Sequence, residues 1–268
     1  MRTPLVGVVA LSLLAGVASA QTGSQPMLVI SMYGGMASGN SLWNIPKQPF
    51  CVLSGQSCSG LDDTLRLTRD LTTGLMAGVV ATYFRNRYVG ITGEVFYMGL
   101  PLDDGCTGLY YNADPFQRNE QMCNAISGSS PSTSALGVFA GLVLRAGPRA
   151  LFSPYVRGGV GLLSYSTGTV EMSGVFADTA VESRAVIIDP HEKKSAFSAQ
   201  IAAGFTTRLG PGYQFRMEVR DLLVPLERVT GVAPQNTLQP PTATRVYHRV
   251  AFTIGLDVVL EQKRGRRY

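Results

Sequence analysis

Eight stretches of the chain alternate apolar and polar side chains with period two, the signature of strands that have different surroundings on their two faces. They cover 27–36, 71–84, 88–100, 134–145, 153–166, 195–208, 214–223 and 248–260. The last is the clearest: Val250, Phe252, Ile254, Leu256, Val258 and Leu260 share one face, and Arg249, Thr253 and Asp257 the other. Val89, Ile91, Val95 and Tyr97 likewise oppose Thr92 and Glu94, and Phe215, Met217 and Val219 oppose Gln214, Arg216, Glu218 and Arg220. In 195–208, Phe197, Ala199, Ile201, Ala203 and Phe205 oppose Ser198, Gln200, Thr206 and Arg208. The pattern is weaker in 71–84, where both faces are apolar or glycine.

The connections alternate between short and long. Residues 85–87, 146–152 and 209–213 are tight, whereas 37–70, 101–133, 167–194 and 224–247 are long. Successive connections of an up-and-down sheet leave from opposite ends, so one end carries turns and the other loops. Four structureless loops of this size are out of place in a compact soluble domain. They are the pattern of an outer-membrane barrel, with short periplasmic turns and long extracellular loops. In a bilayer only helices and closed barrels satisfy every backbone polar group, and a barrel strand separates hydrocarbon from a polar lumen. The expected fold is therefore all-β, an eight-stranded antiparallel up-and-down transmembrane β-barrel over 21–260, with Arg249 and Asp257 turned inward.

Composition narrows the compartment. Charged residues make up 15% of the chain beside 30 glycines and 11 tyrosines, which suits either a soluble β-protein or a membrane barrel. Residues 1–20 read as a secretory signal peptide, with Arg2, an apolar run over 5–17, and Ala18, Ser19 and Ala20 before Gln21. A membrane-anchoring helix is the alternative, but the run is short for one and nothing later approaches the roughly 20 apolar residues a span requires. Cys51, Cys58, Cys106 and Cys123 in an exported chain suggest two disulfides, of which three pairings exist. The local pairing, Cys51 with Cys58 and Cys106 with Cys123, is expected because each pair lies in one polar, glycine-containing segment. Zinc is the competing reading, without a Cys-x-x-Cys or a histidine near a cysteine in sequence; no metal and no cofactor is expected.

Charge follows the same polarity. Arg85, Arg87, Arg145, Arg149 and Arg208 collect at the turns, joined by Lys263, Arg264, Arg266 and Arg267 of a basic periplasmic tail, 261–268. In the second long loop Asp103, Asp104, Asp114 and Glu120 face only Arg118. Such a basic rim suits lipid phosphates, or is plain solvated charge. The cations neither line one helix nor interleave with stacking aromatics, so no nucleic-acid partner is expected. Phe84, Tyr88, Phe152, Tyr155, Tyr213 and Phe215 near the turns, and Tyr97, Tyr165, Phe197 and Tyr247 near the loops, read as two interfacial girdles.

With these features the chain resembles the eight-stranded outer-membrane barrels of the OmpA-like and OmpW-like type over 27–260. The resemblance rests on the signal peptide, the turn and loop rhythm, the glycine-rich PYVRGGVGLLSY and the last strand. There Thr253, Gly255, Val258 and Leu260 resemble the terminal signal read by the outer-membrane assembly machinery. It implies a place in the cell outer membrane of a Gram-negative-type bacterium, among outer-membrane lipid and lipopolysaccharide, as a monomer. Two features depart from the pattern. Residues 261–268 follow Leu260, where such signals commonly end on an aromatic residue, and no peptidoglycan-binding domain follows the barrel, so cell-wall anchoring is not implied.

The inward candidates are Glu94, Arg157, Gln200, Arg216, Glu218, Arg220 and Asp257. An eight-stranded lumen is just wide enough for its own side chains, and buried charges must pair. They form either a packed salt-bridge plug or a gated ion path. His248 at a strand end and His191 in the third loop are the conceivable bases for a serine nucleophile. No Gly-x-Ser-x-Gly, His-Glu-x-x-His or phosphate-cradling loop accompanies them, and enzymatic activity is not expected. The function classes are a structural or surface-interaction barrel acting through disulfide-stapled loops, a porin-like narrow channel for ions or small apolar solutes, and a secreted lipocalin-like carrier with its faces reversed.

Overall fold

The structure is a computed structural model and describes residues 27–50, 63–109, 117–128, 132–147, 151–166, 172–177, 181–187, 194–234 and 237–261. In chain order the elements are β1 (Met27–Ala37), β2 (Asn40–Phe50), β3 (Asp63–Leu71), β4 (Gly74–Phe84), β5 (Val89–Leu109), α1 (Arg118–Ser127), β6 (Ser132–Arg145), β7 (Phe152–Ser166), β8 (Met172–Ala177), β9 (Val181–Ile187), β10 (Lys194–Gly210), β11 (Tyr213–Val229) and β12 (Thr242–Glu261).

Eight of these strands close a ring, β1-β4-β5-β6-β7-β10-β11-β12, each antiparallel to its neighbours. Closure runs from Met27 opposite Glu261 to Ala37 opposite Ala251, so both ends of the barrel chain meet on the turn side. The turns are as tight as the sequence implies. Between β10 and β11 the chain reverses through Gly212 at φ 80, a left-handed conformation that glycine adopts without a Cβ penalty.

Alternation sorts the faces. Met32, Leu75, Ile91, Val138, Leu162, Ile201, Phe252 and Ile254 stand outward and exposed, while Ser31, Thr82, Thr92, Glu94, Arg157, Gln200 and Thr253 lie buried in the ring. A soluble domain does the reverse. The outer face is a continuous apolar belt, and its backbone is paired because the eight-stranded ring has no edge.

The long connections are not bare loops. Residues 71–84, read as one strand, divide at Thr72 and Thr73; β3 ends there and β4 begins. Apolar residues on both faces hide the break, because β3 and β4 each bury a different side. β3 places Leu65, Leu67, Arg69 and Leu71 inward and pairs with the upper half of β5, which is why β5 continues to Leu109. β2 returns along β3 and reaches the far side of the mouth. There the Gln48 side chain accepts from the Ala233 N–H at 2.8 Å and donates to its carbonyl at 2.9 Å, and the Tyr247 hydroxyl donates to the Leu42 carbonyl at 2.7 Å. α1 lies against β5 and β8, tied to β5 by the Cys106–Cys123 disulfide.

These additions form a second storey on the loop end. Its core, Leu42, Trp43, Ile45, Leu67, Leu102, Met122, Ile126, Ile187 and Leu226, is buried and continuous with Phe96, Met98, Leu163 and Leu222 of the barrel. At about 3.3 Å per residue the 20 residues of β12 run to about 65 Å. That exceeds the ~25 Å apolar band of an outer-membrane barrel by far, even after strand tilt.

Candidate functional site

The barrel interior holds a lattice of ions at mid-height. Glu94 on β5 and Glu218 on β11 face each other, and two guanidinium groups bridge them. Arg157 on β7 donates from Nη1 to Glu94 Oε2 at 2.9 Å, from Nη2 to Glu94 Oε1 at 3.2 Å, from Nε to Glu218 Oε2 at 2.8 Å and from Nη2 to Glu218 Oε1 at 2.8 Å. Arg220 on β11 reaches Glu94 Oε1 at 2.7 Å and Glu218 Oε1 at 2.8 Å. The remaining lone pairs are filled by hydroxyl and amide donors. Tyr33 and Gln200 donate to Glu94, and Tyr155 donates to Glu218 at 2.8 Å. Two acids, two bases and three neutral donors leave the lattice without net charge, the condition under which buried ions are tolerated.

Glycine makes the room. A Cβ on Gly78 would stand 2.5 Å from the Tyr33 hydroxyl, and one on Gly204 2.8 Å from that of Tyr155. The Arg220 guanidinium lies over the Tyr33 ring at 4.3 Å, which adds a cation–π contact to the ion pairs.

Below the lattice, toward the turns, Arg216 pairs with Asp257 at 3.0 Å and lies over Tyr155 at 5.2 Å. A small cavity opens beside them, lined by Thr82, Thr92, Val143, Arg145, Thr206 and Gln214 among others. Above the lattice, Arg249 is 0% exposed and, among the described residues, donates only to the carbonyls of Ala37 and Thr72, at 3.2 and 3.4 Å. Its Nε and Nη1 have no partner among the described residues. The apolar core of the second storey lies over this level, and Arg69 and Asp104 form a further buried pair there, with Arg69 5.7 Å from the Trp43 ring. Tyr247, on the loop side of the belt, has its phenol pushed above the usual value by burial and so stays a neutral donor.

The structure thus brings Glu94, Arg157, Arg216, Glu218, Arg220 and Asp257 into one interior column. Thr253 and Gly255 of the terminal pattern face inward, and Leu260 faces out. Gly255 has a local reason to be glycine, since a Cβ there would meet the Met32 carbonyl at 2.6 Å. Cys106 and Cys123 form a disulfide. Cys51 and Cys58, residues 1–20, Arg149, His191 and residues 262–268 of the basic tail lie outside the described residues, while Glu261 ends β12. His248 is 69% exposed on the outer face and pairs with Asp221 at 2.7 Å at the upper margin of the belt, turned away from the lumen.

The aromatic girdles need correction. Tyr88, Phe152, Tyr213, Tyr97 and Phe197 do stand on the outer surface, but Phe84, Tyr155, Tyr165 and Tyr247 are buried inside. Proximity to a strand end does not decide the face; parity does. Read by parity, Tyr33 falls on the inward side with Val29 and Ser31, a signal that places it inside the barrel though not against any one partner. Arg69 with Asp104 had no such signal, because their pairing depends on the β3–β5 register.

A closed ring with an apolar exterior and an ion-paired interior is the build of a transmembrane β-barrel of the eight-stranded class. No family profile and no curated protein matches the chain. Among solved structures it is similar to the outer membrane protein OprG from Pseudomonas aeruginosa, at 12% identity and a TM-score of 0.47 over 89% of this chain and 97% of that one. It is also similar to the outer membrane protein AlkL, at 14% identity and a TM-score of 0.44 over 91% and 94%, and to Neisserial surface protein A, at 10% and 0.41 over 86% and 96%. Likenesses this distant leave the functional reading to the barrel's own geometry.

Proposed function

We propose that the protein is an integral outer-membrane barrel with a structural or surface-interaction role, and that its second storey is the surface it presents. One observation carries this reading: the lumen is filled at mid-height by a neutral ion lattice and covered above by a buried apolar core contributed by the loops. Such an interior supports the barrel instead of admitting a solute, and what remains to meet the outside is the stapled loop storey. The apolar belt would sit in lipid, with lipopolysaccharide around its outer half and the basic turn end at the periplasmic headgroups. The terminal strand would be what the assembly machinery reads, and the closed ring needs no second copy. A secreted carrier fits poorly, since Val219 and its neighbours are exposed outside and the charges lie within.

Planar-bilayer recording tests the reading. Wild-type protein, folded and inserted, should give no discrete openings. Reproducible openings that change when Arg216 or Glu218 is neutralised would replace it with the narrow-channel reading, which the cavity on the turn side favours.

A further inference from the structure

From the lattice down to the turn end, the interior charges do not cancel. The lattice is neutral and Arg216 answers Asp257, but Arg145 at the turn end has no carboxylate within ion-pair distance among the described residues. Its Nε donates to the Arg87 carbonyl at 2.7 Å, its Nη2 lies 3.9 Å from the Met27 sulfur, and its guanidinium stacks on Phe84 at 3.9 Å. It is half-buried, so bulk water does not fully screen it. Beside it is the turn-side cavity, of about 20 Å³.

The lining of that cavity is unusual for an ordinary hydration site. Arg145, Arg157 and Arg216 border it against the one carboxylate of Asp257, and Arg157 is already committed to the two glutamates. Thr82, Thr92, Thr206 and Gln214 supply neutral hydroxyl and amide groups, and Val29, Phe84 and Val143 close the rest with hydrocarbon. A space this size takes about one water-sized occupant. The charge on its wall calls for an anion, and the small volume favours a single-atom ion over sulfate, phosphate or a carboxylate-bearing molecule.

We propose that this cavity is a binding site for one monoatomic anion, a halide such as chloride, held between the guanidinium groups of Arg145 and Arg216 and reached from the turn end. The ion supplies the negative charge that the turn end of the interior lacks. Hydroxyl groups of the threonines complete its shell, and the apolar wall suits a weakly hydrated ion better than a strongly hydrated one.

Bromide replaces chloride and can be seen directly. Crystals of the folded barrel soaked in bromide should show one anomalous peak in this cavity, and the unfolding midpoint in sodium bromide or chloride should exceed that in sodium gluconate at equal ionic strength. For an occupant at ten times its Kd the rise is about 2–6 °C. Arg145→Met should remove both the peak and the halide-specific rise, whereas Val143→Leu, which keeps every charge and narrows the space, should weaken them. If either variant fails to fold, the wild-type bromide map still decides. An empty cavity in that map, or equal midpoints in halide and gluconate, overturns the site. So does equal stabilisation by sulfate, which would locate the effect on the exposed basic rim.

Discussion

The lattice predicts the outcome of removing Arg157. Arg157→Met keeps most of the side-chain volume but deletes four hydrogen bonds, two to each glutamate. Glu94 then keeps Arg220, Tyr33 and Gln200, and Glu218 keeps Arg220 and Tyr155, so two carboxylates share a single guanidinium. One carboxylate's worth of charge is left uncompensated in a site where both acids are nearly inaccessible to water, at a cost of about 3–5 kcal/mol. Adding Glu218→Gln removes that excess. The double variant should therefore be less destabilised than the two single losses added together, with a coupling of about 1–3 kcal/mol. The assay is urea unfolding of protein refolded into lipid vesicles, followed by far-ultraviolet circular dichroism. A single-variant loss below about 1 kcal/mol, or additivity within about 0.5 kcal/mol, would refute the idea that charge balance holds the lattice together.

Three further outcomes follow from the same interior. Gly78→Ala sets a methyl 2.5 Å from the Tyr33 hydroxyl and should displace that ring from Glu94, lowering stability by about 1–3 kcal/mol in the urea assay, while Gly93→Ala, whose Cβ meets open space, should not. Arg249→Met removes a buried charge that has no ion-pair partner among the described residues, so stability should be unchanged or higher; a loss above about 1 kcal/mol would mean that a counter-charge sits there. Replacing Cys106 and Cys123 by serine opens a cross-link spanning 17 residues, worth about 3 kcal/mol in the chain-entropy account. The loss should appear as faster proteolysis within the β5–β6 connection, read by mass spectrometry, with the barrel's own unfolding midpoint unmoved.

Much of the barrel could be read from the chain because lipid demands one unbroken apolar face. β12 shows this best: every outward position from Val250 to Leu260 is apolar, and no tertiary knowledge is needed to separate it from Arg249 and Asp257. β3 buries alternate positions just as strictly, but its inward face sets Asp63 and Arg69 among the leucines and belongs to the second storey and not to the membrane, so the stretch reads as loop. β2 had little pattern to offer, with two prolines and two register irregularities along its pairing with β3. α1 is short and polar, and its packing on β5 and β8, its disulfide and the buried hydrogen bond from Asn119 to Asp63 of β3 hold it in place. Inside the barrel, parity could list which ions point inward but not who meets whom. The two arginine bridges depend on the stagger of strands around the ring, and Tyr33 and Tyr155 could be recognised as partners only once glycines 78 and 204 were seen to stand opposite them.

The lattice draws its members from five strands, β1, β5, β7, β10 and β11, spread around the ring. No two neighbouring hairpins hold all four ions, so a sheet that has not yet closed carries acids and bases that lack part of their partners. A partial barrel edging into hydrocarbon strand by strand would drag those charges with it, whereas one that curls shut first hides them at a stroke. The fold therefore favours entry as a finished cylinder. On that route its first and last strands, the most distant in the chain, pair before the bilayer is crossed.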